Sequence, residues 1–99
     1  MIVVAVKYMV NEGFRNEVLE MAKEAVSETR KEKGNIEYTV YPSLENEQEI
    51  FVFEVWESME HLQAHIKSPH MVKFAEARKP FVVEGSYKLS LYKSEPMSL

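Results

Sequence analysis

The chain has no cysteine, three glycines, four prolines and a single tryptophan, and no apolar run approaches the ~18 residues that a membrane-spanning helix requires. The lack of cysteine removes disulfides, thiolate metal sites, iron–sulfur clusters and a thiol nucleophile together. It fits a reducing compartment, and the cytoplasm is the expected location. Gly13, Gly34 and Gly85 lie far apart, so neither a glycine-rich phosphate loop nor a dinucleotide fingerprint can be built from them. A GxSxG nucleophile turn is missing as well. Positive charge is not in excess: 12 basic residues face 16 acidic ones, for a formal net charge of −4. The basic residues form no stripe, which argues against nucleic acid as a partner. The chain also contains no internal repeat, linker or low-complexity block.

What is present suits one globular domain over residues 1–99, with 45% hydrophobic residues. A chain of this length buries only roughly 60–65% of its unfolded surface, so it gains much from a partner. The opening "MIVVAVKYMV" meets Lys7 early and is followed by no small-residue cleavage site, which reads as a strand and not a signal peptide. Residues 93–99, "KSEPMSL", read as a loosely held tail.

Strand alternation over residues 2–10 puts Ile2, Val4, Val6, Tyr8 and Val10 on one face. The other face, Val3, Ala5, Lys7 and Met9, is also mostly apolar. From Phe14 the spacing turns helical through Val18, Met21, Ala22, Ala25, Val26 and Thr29. Arg30, Lys31 and Lys33 oppose the negative helix end, and Gly34 supplies the stop. "NIEYTVYP" reads as a strand with Ile36, Tyr38 and Val40 on one face. A polar loop leads to "IFVFEVWE", which presents Phe51, Phe53 and Val55 on one side and Ile50, Val52, Glu54 and Trp56 on the other. Ser58 is placed to cap a helix running to about Lys67. Ser68-Pro69 restarts the helix, with serine at the cap and proline at the first position. The second helix ends near Arg78-Lys79-Pro80. A last strand follows in two parts around Gly85, with Tyr87, Leu89 and Leu91 alternating.

The order β-α-β-β-α-α-β predicts an α+β, ferredoxin-like antiparallel sheet with helices on one face. Such a sheet should alternate cleanly if its second face meets water. The first and third strands do not, and the simplest cover for the second face is another copy of the chain, giving a two-fold homodimer.

Residues 53–74, "FEVWESMEHLQAHIKSPHMVKF", hold the tryptophan and all three histidines. His61 and His65, four apart on a helix, could present two imidazoles to one ion. "HLQAH", however, carries Leu62 where a zinc protease needs its glutamate, and nothing compels His70 or Glu54 to be a third ligand, so no metal is expected. Helix phase makes Met59, Leu62 and Ile66 a buried stripe, with His65 on its flank and His61 turned toward solvent. His65 is therefore either a core-edge histidine or one that reaches a space between helix and sheet. His70 sits at a positive helix start, which disfavours imidazolium. Glu54 lies inside a strand between Val52 and Trp56, where a carboxylate must be paired, protonated or functional. Trp56 needs a partner for its N–H.

"EVWESMEHLQAHIKSPHMVKFAEARK" resembles the signature of the antibiotic-biosynthesis-type monooxygenases, in their small single-domain form that includes quinol monooxygenases. Glu54, Trp56, Glu57, Ser58, Leu62, His65, Ser68, Pro69, His70 and Phe74 carry the resemblance, and "EKGNIEYTVYP" extends it. It implies a dimeric α/β barrel with a pocket between sheet and helices in each protomer. It also implies oxygenation of electron-rich aromatic small molecules with O₂ as co-substrate and no flavin, haem or metal. On the matching positions, His65 becomes the candidate base and Glu54 its orienter or an acceptor for a substrate hydroxyl. Trp56, Tyr38 and His70 become candidate substrate contacts. The haem-degrading branch is a poor match, because Val6, His65 and Ala75 stand where it has asparagine, tryptophan and histidine. "HIKSPH" also resembles a branch that isomerises a small oxygenated signal metabolite. That reading, and a non-catalytic dimeric ligand-binding module, remain open alternatives at this level.

Overall fold

A computed structural model describes residues 1–99 as β1 (Ile2–Met9), α1 (Arg15–Thr29), β2 (Asn35–Pro42), β3 (Glu49–Trp56), α2 (Met59–Ile66), α3 (Pro69–Arg78), a 3-10 turn (Lys79–Phe81) and β4 (Lys88–Lys93). The four strands pair antiparallel in the order β2-β3-β1-β4, which is the ferredoxin-like arrangement expected from the element order. No helix is long and apolar enough to cross a membrane.

Register explains how the two sheet faces differ. Val4 lies opposite Glu54 on one side and Leu91 on the other, and Tyr38 lies opposite Glu54. Tyr38, Glu54, Val4 and Leu91 therefore form one row across the sheet, because directly paired residues point to the same face. The neighbouring rows on this face contain Trp56 with Ile2, and Val40, Val52, Val6 and Leu89. This face meets the helices. Its β1, β2 and β3 apolar side chains join Val18, Ala22 and Ala25 of α1, Leu62 of α2 and Phe74 of α3 in the hydrophobic core, whereas Leu89 and Leu91 of β4 stay about half exposed.

The opposite face carries Val3, Ala5, Phe51, Phe53 and Val55, all only partly buried in the single chain, with Tyr41 and Tyr92 at 45% and 57% exposure. It is the mostly apolar second face foreseen from the alternation of β1 and β3.

Several local details differ from the sequence expectation. Helix α1 closes at Thr29, so Arg30, Lys31 and Lys33 follow the helix and do not occupy its last turn. Arg30 instead donates from Nε to the Tyr38 carbonyl at 3.0 Å, tying the turn to β2. A bulge between Asn35 and Glu37 takes Ile36 out of line with Tyr38 and Val40 and leaves it 51% exposed. Ser58 does cap α2, accepting from the His61 N–H. Ser68 occupies the cap position of α3, but its hydroxyl donates back to the His65 carbonyl at 2.7 Å.

The buried stripe of α2 consists of Leu62 and His65, while Met59 and Ile66 are 38% and 58% exposed. Apolar side chains at both positions suggested core, but the space they face is a cavity. His61 does not reach solvent freely. It is half-buried, bonded through Nδ1 to Ser58 at 2.8 Å, and seated against Gly34. Gly34 has φ +83°, and a Cβ there would collide with the His61 ring, so this position needs glycine both for its backbone and for space.

Candidate active site

His65 is 2% exposed. Its ring centroid lies 4.7 Å from that of Trp56 and 5.4 Å from that of Tyr38. Two aromatic neighbours therefore fix the plane of the imidazole, and a carboxylate fixes its rotation. Nδ1 stands 2.6 Å from Oε2 of Glu32, within the range of a charge-assisted hydrogen bond. Glu32 comes from the turn after α1, where its N–H donates to the Thr29 carbonyl at 3.0 Å and its own carbonyl accepts from Asn35 at 3.2 Å. The same Oε2 accepts from Nε2 of His70 at 2.9 Å, and Ser68 Oγ lies 3.1 Å from that nitrogen.

These contacts determine the tautomer. An ionised carboxylate only accepts hydrogen bonds, so the ring nitrogens facing Glu32 carry the protons. Neutral His65 is then protonated on Nδ1 and has its lone pair on Nε2. Nε2 is 3.8 Å from Oε1 of Glu54, too far for a hydrogen bond. Glu54 Oε1 is held by the Trp56 indole N–H at 2.9 Å. A free imidazole nitrogen and a carboxylate oxygen thus flank one point, each oriented by a different neighbour.

Both groups lie on the wall of a cavity of about 410 Å³ between α2, α3 and the β1–β4 half of the sheet. Ten of its fifteen lining residues are hydrophobic, among them Val4, Leu62, Met71, Leu89 and Leu91. Size and lining match a small-molecule pocket. A larger groove of about 590 Å³ runs between α1 and β2, lined by residues such as Leu19, Val26 and Thr39. It contains neither histidine nor carboxylate, and a third groove of about 610 Å³, lined by Glu12, Arg15, Glu45 and Glu47, has no apolar wall; the smaller cavity alone combines an apolar lining with a buried histidine and carboxylate.

Burial acts on the two groups in opposite directions. It pushes the Glu54 carboxyl above the usual carboxylate value, with the Trp56 hydrogen bond opposing. It holds the His65 imidazolium below its ordinary value, with the Glu32 hydrogen bond and charge opposing. Both shifts follow from the cost of a charge away from water. They leave His65 neutral and able to accept a proton near pH 7. The Tyr38 phenol is driven well above its normal value by burial and by the nearby Glu54 charge, so it stays protonated and donates to Met71 Sδ at 3.8 Å.

The five residues singled out in the sequence therefore separate. His65 and Glu54 line the cavity. Trp56 and Tyr38, expected as its walls, are 0% and 3% exposed and do not line it; they pack behind His65 and set its ring. His70, also expected to contact substrate, opens onto a separate hollow of about 140 Å³ beside Met21 and Phe74 and meets the site through Glu32, through Ser68 and through its ring, 6.1 Å from that of His65. The reason is the helix restart at Pro69, which carries His70 to the α1 side of His65.

Glu32 was not foreseen; it sits in the charged run "RKEKG", where no periodicity marks it. Arg78 was read only as part of a helix end, yet it lines the cavity. The pairing of His61 with His65 on one ion does not form. Instead Glu32 Oε2, His65 Nδ1 and His70 Nε2 lie within 4.8 Å of one another, a grouping that could hold a divalent ion. The 2.6 and 2.9 Å separations within it are those of shared protons.

Comparison with known proteins places this geometry in context. The family model of the antibiotic biosynthesis monooxygenases matches residues 1–77. The uncharacterized protein YjcS of Bacillus subtilis (strain 168) is 33% identical over 57 residues, covering 58% of this chain and 54% of that protein. The "probable quinol monooxygenase YgiN" of Escherichia coli (strain K12) is 42% identical over 40 residues, covering 40% of this chain and 38% of that protein. The match thus spans about half or less of the length of these curated relatives. Among solved structures, a conserved protein from Methanosarcina mazei Go1 superimposes with a TM-score of 0.87 at 28% identity, covering 95% of this chain and 92% of the other.

Proposed function

This chain belongs to the antibiotic biosynthesis monooxygenase family, and from that premise we propose that it oxygenates quinol-like or other electron-rich aromatic small molecules in the cytoplasm, without flavin, haem or metal. The observation that carries the proposal is the free Nε2 of His65, left unprotonated by Glu32 and turned with Glu54 onto an apolar cavity.

A neutral quinol gives up electrons to O₂ poorly, and its anion does so readily. Nε2 of His65 takes the proton of a ring hydroxyl, a positioned transfer worth ~10²–10⁴ in rate. Glu54, when ionised, accepts the hydrogen bond of a hydroxyl at the same point. The quinolate then reduces O₂. One oxygen atom forms a bond to ring carbon and the other leaves as water. All four electrons come from the quinol, which becomes a hydroxyquinone, so no further reductant is needed. The apolar walls keep water from the oxygen intermediates. The similarity over 40 residues to the "probable quinol monooxygenase" YgiN supports the substrate class.

The working unit in this reading is a homodimer closed through the open sheet face, where Phe51, Phe53 and Val55 stand beside Val3 and Ala5. O₂ consumption by the metal-free protein is measured with a panel of reduced quinones, against a His65→Ala variant. The expected result is uptake above autoxidation that the variant lacks. Equal uptake by both proteins removes His65 as the base. No uptake with any quinol, together with product formed under nitrogen from a small oxygenated metabolite, turns the reading to an isomerase.

A further inference from the structure

Arg78, at the end of α3, is a cavity-lining residue that the proton-transfer chemistry does not use. Its guanidinium carbon stands 4.7 Å from the ring centre of Tyr8, 4.9 Å from that of Phe74 and 5.6 Å from that of Tyr87. Three aromatic faces hold the plane of the cation, and Tyr87 is itself stacked on Tyr8 at 6.1 Å. No carboxylate of the chain stands within ion-pair distance of it, although its charge acts on Glu54; the lysine–glutamate pairs involve Lys23, Lys31 and Lys73, and the close histidine–glutamate contacts His65 and His70. The Tyr8 hydroxyl below it is buried and has no partner at full hydrogen-bond geometry, and the adjacent Arg78 guanidinium opposes the upward push of burial on that phenol. A half-buried guanidinium fixed by aromatic stacking, and unpaired in a chain with 16 acidic residues, is a preorganised donor fork for a planar anion.

Its position relative to the base follows from the register. Glu54 shares a row with Val4, and Arg78 stacks on Tyr8, four residues along the same strand. At ~3.3 Å per residue the backbone levels of Val4 and Tyr8 are about 13 Å apart along β1, and the side chains converge from those levels, since the Arg78 charge acts to lower the Glu54 value. Leu89 and Leu91, paired with Val6 and Val4, pave the apolar floor between them. A ligand that places a hydroxyl at His65 and Glu54 thus presents its far end to Arg78 across an apolar strip.

We propose that Arg78 is a specificity-determining residue that binds the carboxylate of an aromatic substrate, so that the preferred substrates are quinols or phenols carrying an acid group at the end of a fused or extended ring system. The proposal rests on the aromatic-oxygenation reading for the hydroxyl end but on independent residues for the acid end. Arginine forks onto carboxylates and phosphates alike, and a carboxylate is favoured here because its single negative charge is balanced by one guanidinium. Glu54 and Glu76 on the same cavity wall oppose a second negative charge.

The test uses ligands that cannot be oxygenated, so that it does not depend on turnover. Binding of 2-naphthoate, naphthalene-2-carboxamide and 2-naphthyl phosphate to the full chain is measured by calorimetry, for the wild type and for Arg78→Gln and Arg78→Lys, each checked for folding by circular dichroism. Expected are tighter binding of the naphthoate than of the amide, a loss of about 10- to 100-fold for the naphthoate in Arg78→Gln, partial recovery in Arg78→Lys, and amide affinity unchanged throughout. Naphthoate affinity that is the same in all three proteins, or phosphate bound more tightly than naphthoate, overturns the proposal. If naphthoate binding depends on Arg78 while no quinol is consumed, the acid site stands and the oxygenase reading alone fails. With a carboxylated quinol that does turn over, Arg78→Gln raises KM with kcat little changed.

Discussion

Oε2 of Glu32 lies 2.6 Å from Nδ1 of His65 and so decides which nitrogen of a buried imidazole is free. Replacing the carboxylate by Glu32→Gln keeps the size of the group but removes its charge and allows its amide to donate. The ring can then adopt the tautomer with the proton on Nε2, which cannot act as a base toward the cavity. A fall in kcat on the order of 10²-fold is expected. The glutamate also holds the His65 value up against burial, so the acid limb of the pH–rate profile should move to lower pH in the variant. Glu32→Asp should restore part of the rate. A variant that merely loosened the turn would slow the reaction without moving the limb.

The pH dependence of the wild type follows from the same ring. Burial lowers the His65 value below its ordinary 6.5, so the unprotonated base persists into mildly acid solution. The profile of kcat/KM should rise with a midpoint below 6.5 and be level from there to pH 8, as far as this group controls it. His65→Ala should lose ~10²–10⁴ in rate and the limb with it. A midpoint clearly above 6.5 would contradict the assignment of His65 as a desolvated base.

Much of this was legible in the sequence, because strand alternation and helix punctuation are local. β1, β2 and β3, the cap at Ser58 and the restart at Pro69 all follow from residues within a few positions of each other. His65 and Glu54 were legible because a polar group on an apolar face is anomalous where it stands. Glu32 was not, because a glutamate in a charged turn is ordinary until the fold brings it to α2, 33 residues away. Arg78 failed to stand out for a related reason: a cation at a helix end has a local explanation, and its aromatic cage draws on Tyr8 and Tyr87, which only the sheet register brings together. The cavity itself inverted one expectation. Met59 and Ile66 carry the apolar spacing of a core stripe, and spacing alone does not distinguish a packed interior from a lined pocket.

Glu54 should cost the fold stability at neutral pH. Its folded-state value is raised above 4.5 by burial, so the folded state binds a proton more tightly than the unfolded one. The stabilising contribution is fully present below pH 4.5 and is lost as pH rises through the folded value. Glu54→Gln, which keeps an oxygen for the Trp56 N–H, should therefore raise Tm by a few degrees at pH 8 and leave it unchanged near pH 4. The same variant should lose activity if the carboxylate accepts a substrate hydroxyl. Thermal melts at the two pH values separate the effects: equal gains at both would mean that desolvation of the charge is not the cause.

Chelators should leave the grouping of Glu32, His65 and His70 untouched, and added zinc should disturb it. In the proposed mechanism that cluster holds protons, so prolonged dialysis against EDTA should leave O₂ uptake unchanged. Zinc would compete with those protons, fix Nδ1 of His65 and pull Glu32 away from its orienting role. Inhibition by micromolar zinc, reversed by EDTA and weakened in His70→Ala, is the expected outcome. Loss of activity on chelation, restored by one particular metal, would instead make the cluster a metal site.

The open face of the sheet carries the last prediction. Its central row is Thr39, Phe53, Ala5 and Ser90, flanked by Phe51, Val55, Val3 and the exposed rings of Tyr41 and Tyr92. An apolar surface of this extent on a small chain is costly in water, and a second copy related by a two-fold axis would cover it with the same residues. The wild type should scatter as a dimer at micromolar concentration, with a Tm that rises with protein concentration. Phe53→Glu places a carboxylate at the centre of that face, where in the dimer it would be buried without a partner. The variant should be monomeric, and its Tm should no longer depend on concentration. Because Phe53 points away from the His65 cavity, the monomer should retain its tautomer, its cavity and the naphthoate affinity set by Arg78. A wild-type protein that scatters as a monomer under these conditions would require the two-sided apolar pattern of β1 and β3 to have another cover.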